Sequence, residues 1–147
     1  MDEAQINQLI QKCKNLKHVF YGVFAADNFP HSIPVKTFII IHASKKTSFG
    51  THWLLLYNYN GLYVFADPLG LPLISYRYIF ERLQSSKSIS SVVEINKFQP
   101  IQEPSSNRCG LFCIYIAHVI DSSVYELPST IGLINENELA RFMRHML

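Results

Sequence analysis

Charge is scarce in this chain. Only 16% of its 147 residues are charged, and the formal net charge is +2. So weak a balance provides no dedicated nucleic-acid surface, because phosphate backbones are bound by dense positive patches. Cysteine is scarce too. The three present, Cys13, Cys109 and Cys113, are odd in number and irregularly spaced. That argues against a disulfide framework and for a reducing, intracellular compartment. No apolar run is long enough to span a bilayer. The first residues, MDEAQINQLIQK, lack the basic start and apolar stretch of a signal peptide. There are no repeats, low-complexity tracts or linkers, and no regularly spaced zinc ligands. What remains is 48% apolar content over a length that suits one domain, residues 1–147, with a core able to fold without staples.

The chain centres on residues 102–120, QEPSSNRCGLFCIYIAHVI, a polar loop running into an apolar helix. Leu111, Phe112, Ile114, Tyr115, Ile116, Val119 and Ile120 cover most of its circumference, so the helix is expected to be buried on nearly all sides. Cys109 sits at its start, with Ser106 or Asn107 as the expected N-cap. Unpaired N–H groups and the positive end of the helix dipole favour a thiolate there. Cys109 therefore reads either as a nucleophile or as a small buried hydrophobe. Cys113, one turn on, reads as core.

The other elements follow from periodicity and turn chemistry. Residues 2–16 read as an amphipathic helix through Ile6, Leu9, Ile10 and Cys13. Residues 18–34 carry Gly22, Pro30 and Pro34 and read as loop. Residues 36–43 (KTFIIIHA) form a buried strand, with His42 a core or edge histidine. Residues 44–50 form a polar turn. Residues 51–59 and 62–66 flank Asn60-Gly61 and read as a hairpin. Residues 74–83 read as a helix with Tyr76, Ile79, Phe80 and Leu83 on one face. Residues 92–98 form a short strand, 122–134 a loop, and 135–146 an amphipathic helix.

The hairpin folds the start of its first strand back beside the end of its second, so His52 and Asp67 are expected to meet. Taken singly, His52, Asp67 and Gln102 read as structural, turn-forming and solvated residues. Their order is His52, Asp67, Gln102, Cys109, at intervals of fifteen, thirty-five and seven residues. The flanks are Gly50 and Trp53 around the histidine, Pro68 and Gly70 after the acid, and Pro104 and Gly110 to Cys113 around the cysteine. On these motifs the chain resembles the adenovirus maturation protease (adenain) family, and more distantly the SUMO and ubiquitin-like proteases of the same clan. The likeness runs from about Leu16 to the C-terminus, and the seven-residue step from Gln102 to Cys109 suits the adenoviral branch.

The resemblance implies an α+β fold: a small mixed sheet flanked by helices, with a buried central helix carrying the nucleophile. It implies a cysteine endopeptidase in which Cys109 attacks, His52 takes the proton, Asp67 orients His52, and Gln102 with the backbone N–H of Cys109 binds the oxyanion. Gly50, Thr51, Trp53 and Gly110 are the expected substrate-lining residues, although Trp53 also reads as core. The implied substrates are viral or virus-like structural precursors cut after glycine-containing motifs, in the host nucleus or cytoplasm and the virion. A ubiquitin-like deconjugating enzyme and an inactive binding module are the rival readings. No cofactor, metal or membrane is implied, and a monomer is expected. Family members are activated by a disulfide-tethered peptide and by DNA. Here Ser91 stands where the tethering cysteine would be, so any activating peptide is expected to add its strand non-covalently, with weak or absent nucleic-acid binding.

Overall fold

The computed structural model describes residues 1–43, 52–86, 91–103, 108–123 and 126–146. A five-stranded mixed sheet lies at its centre: β1 Phe20–Ala25, β2 Phe38–His42, β3 Trp53–Tyr59, β4 Leu62–Ala66 and β5 Ser91–Ile95. Spatial order follows chain order. The inner pairs β2–β3 and β3–β4 are antiparallel, and the outer pairs β1–β2 and β4–β5 are parallel. Four helices accompany the sheet: α1 Glu3–Lys12, α2 Arg77–Gln84, α3 Cys109–Asp121 and α4 Glu136–Met146. A 3₁₀ turn, Leu73–Ser75, precedes α2. The fold class is α+β, as expected.

Period-two alternation divides the apolar residues of the central strands between two cores. Phe38, Ile40, Leu55, Tyr57, Val64 and Ala66 pack with α1, α3 and α4 on one face. Ile39, Ile41, Leu54, Leu56 and Phe65 pack with Ile79 and Leu83 of α2 on the other. Both faces are covered, which is why these strands read as unbroken apolar runs.

Asn60 and Gly61 both take positive φ, 52° and 90°, closing the β3–β4 turn that the sequence predicts. β1 departs from expectation. Residues 18–34 read as loop because of their glycine and prolines, yet Phe20–Ala25 takes Gly22 into the strand at a register shift and pairs parallel with β2. Other bounds shift as well. Helix α1 stops at Lys12, with an Asp2–Gln5 capping box at its start. β5 ends at Ile95, because Asn96 and Phe98 take positive φ and cannot continue a strand. α3 begins at Cys109 itself. Its N-cap is Arg108, whose side chain makes no capping bond, rather than Ser106 or Asn107, which lie outside the described residues with Pro104.

Candidate active site

His52 immediately precedes β3. Its carbonyl accepts the N–H of Ala43 at 3.0 Å, which extends the β2–β3 ladder by one rung and fixes the histidine backbone. Asp67 immediately follows β4. Its carbonyl accepts from Gly70 N–H, and its Oδ1 accepts from Leu69 N–H, both at 2.8 Å, so backbone and side chain are held by one turn. Hairpin register delivers the two to each other, with His52 Nε2 2.7 Å from Asp67 Oδ1. Asp67 is only 1% exposed.

The nucleophile candidate enters from the opposite side. α3 packs along β3 and carries Cys109 in its first turn, 3% exposed. The Trp53 N–H donates to Cys109 Sγ at 3.2 Å, and the Cys113 thiol donates to Trp53 O at 3.3 Å. The backbone of Trp53 is thereby fastened to both cysteines of the helix. The Cys109 side chain also acts on the His52 imidazole and raises its pKa.

These contacts set the charge state. Burial alone pushes the His52 pKa down. The hydrogen bonds to Asp67 and Cys109 and the charges of both outweigh it, and the imidazole is raised from 6.5 to about 9. The protonated imidazole is thereby favoured beside the Asp67 carboxylate. Burial, then the neighbouring Cys109 and Asp67, raises the Cys113 thiol well above its ordinary range. Cys113 is a core group, as expected.

Gln102 is buried, 1% exposed, on the segment that leads to α3. The N–H groups of Ile101 and Gln102 both donate to Pro68 O, at 2.9 and 3.1 Å. Phe98 N–H donates to Gly70 O at 2.7 Å. The glutamine loop is thus bonded directly to the turn that carries Asp67.

The expected substrate-lining residues fare differently. Gly50 and Thr51 lie outside the described residues. Trp53 is buried in the core, its ring beside His42 and its indole N–H donating to Met1 O at 2.9 Å. Gly110 has a structural reason unlike the expected one. A Cβ there would meet Met1 Sδ at 3.0 Å and Ile6 Cδ1 at 3.2 Å, so its missing side chain makes room for α1.

One residue escaped the sequence reading. The Tyr76 hydroxyl donates to Asp67 Oδ2, and its ring lies 6.2 Å from that of His52 at 26°. Periodicity marks Tyr76 only as part of an apolar helix face.

Among the described residues no cluster of metal-ligating side chains is present, and no helix is long and apolar enough to cross a membrane. The chain matches no known family model and no curated protein.

Proposed function

We propose that this protein is a cysteine endopeptidase of the adenain and SUMO-protease type, with Cys109 as nucleophile, His52 as base and then acid, Asp67 as its orienting carboxylate, and Gln102 as an oxyanion donor. The observation that carries this reading is the His52 ring, hydrogen-bonded to Asp67 at 2.7 Å, with the Cys109 sulfur held 3.2 Å from the N–H of the next residue, Trp53. In such a pair the thiolate is the reactive form, and the imidazolium holds the proton the leaving group will need.

The chemistry runs as follows. The thiolate attacks the scissile carbonyl carbon, an S–C bond forms, and charge moves to oxygen. The backbone N–H of Cys109, at the open start of α3, and the Gln102 amide receive that charge. His52 passes its proton to the departing amine as the C–N bond breaks. The thioester is then hydrolysed by water, with His52 taking a proton from it. Asp67 keeps the imidazole in one orientation and stabilises its positive charge throughout.

The proposed substrate is an extended segment with glycine beside the cleaved bond, within a viral or virus-like structural precursor. The 3% exposure of Cys109 supports this, because only a bare backbone approaches so recessed a sulfur without displacing its walls. Ser91 opens β5, the outermost strand beyond β4, so an activating peptide would add to the sheet by backbone hydrogen bonds alone.

A glycine-aldehyde or Gly-Gly vinyl-sulfone probe tests the chemistry, and mass spectrometry should find it on Cys109. A folded chain that stays unlabelled would instead be a binding module. Precursor peptides set against a folded ubiquitin-like conjugate then separate maturation from deconjugation.

A further inference from the structure

Asp67 offers two oxygens, and His52 uses only one. Oδ1 accepts from His52 and from Leu69 N–H, while Oδ2 accepts the hydroxyl of Tyr76. The carboxylate is buried, so its charge is divided among protein donors rather than spread into water. Tyr76 stands at the joint between the 3₁₀ turn and α2, with its ring against Phe65 as well as His52. Tyr76 also lines a pocket of about 260 Å³ with Ala26, Ala43 and Ile79.

We infer that Tyr76 is a positioning residue of this site: its hydroxyl fixes the second oxygen of Asp67 and draws off part of the carboxylate's charge, which sets the pH at which His52 releases its proton. The inference rests on the reading of His52 and Cys109 as a proton-transfer pair. A donor to one carboxylate oxygen weakens the other as an acceptor, because both share one charge. Removing the donor returns charge to the oxygen facing His52 and stabilises the imidazolium. The groups that face His52 are Asp67 from the end of β4, Cys109 from α3 and Tyr76 from the head of α2. Asp67, Cys113 and Cys109 are the titratable groups that face Tyr76. Burial, then the bond to Asp67, lifts the phenol's own proton loss above its ordinary range, so it stays a donor wherever His52 titrates. A tyrosine that merely filled space would be replaced by phenylalanine without effect on His52.

The test is an NMR titration of the His52 ring, with the pH dependence of Cys109 alkylation by iodoacetamide beside it. Tyr76→Phe should move the His52 midpoint upward by about half a pH unit or more. It should also lower kcat on a Gly-Gly peptide about tenfold at constant KM, as loss of an outer hydrogen-bond partner does at comparable sites. A fluorinated tyrosine at position 76, equal in shape and a stronger donor, should move the midpoint downward. Because it preserves the fold, it decides the matter even where Tyr76→Phe does not fold. An unmoved His52 midpoint with the fluorinated residue overturns the inference. The titration needs no turnover, so a chain that cleaves no peptide refutes the protease reading while the role of Tyr76 is still decided by the midpoint.

Discussion

At the scale of single residues, the arrangement around Cys109 separates binding from chemistry. Cys109→Ala should abolish peptide cleavage while lowering unfolding free energy by only about 1–3 kcal/mol, the cost of leaving the Trp53 N–H without its sulfur acceptor. Equilibrium denaturation and a peptide assay read the two effects apart. Gln102→Ala should lower kcat by roughly 100- to 1000-fold with little change in KM, the pattern of a group used only when charge reaches the carbonyl oxygen. A rise in KM at constant kcat would remove Gln102 from that role. His52, Asp67 and Cys109 were legible because each stands in a short motif with its own flanks. Tyr76 was not. One tyrosine among 8 on an apolar helix face looks like packing, and what its hydroxyl touches depends on how α2 lies against the sheet.

At the scale of elements, what local chemistry decides was readable, and what tertiary pairing decides was not. Asn60-Gly61 announces its turn because few other residues accept positive φ twice in succession. β1 is held by its pairing with β2 and carries weak signals of its own, so its breakers concealed it. The turn after β4 gives the sharpest test. Gly70 has φ +78°, and a Cβ there would lie 2.7 Å from the backbone nitrogen of Pro100. No rotamer relieves a clash with backbone. Gly70→Ala should therefore cost roughly 2 kcal/mol of stability, measured by denaturant titration. It should also reduce kcat, because the same turn holds Asp67 and the glutamine loop together. Full activity in this variant would mean that the two are positioned independently.

At the scale of the whole molecule, one ion pair makes stability depend on pH. The pKa of His52 is raised on folding, from 6.5 to about 9. A raised value means the folded state binds the proton more tightly. The resulting stabilisation is complete below pH 6.5 and is lost as pH rises through about 9. Urea denaturation across that interval should show a decline that Asp67→Asn flattens; an equal slope in both proteins would place its origin elsewhere. The α+β class was legible from alternating apolar runs and amphipathic helices. The parallel pairing of the outer strands was not, because β1 and β5 are only partly buried and no tight turn joins either to its partner. Met1 has the last practical bearing. Its carbonyl binds the Trp53 indole and its sulfur lies 3.0 Å from where a Cβ on Gly110 would go, so Met1 rests against the neighbours of Cys109. An affinity tag fused ahead of Met1 should therefore slow probe labelling of Cys109. Comparing the labelling of tagged and untagged protein measures that obstruction directly.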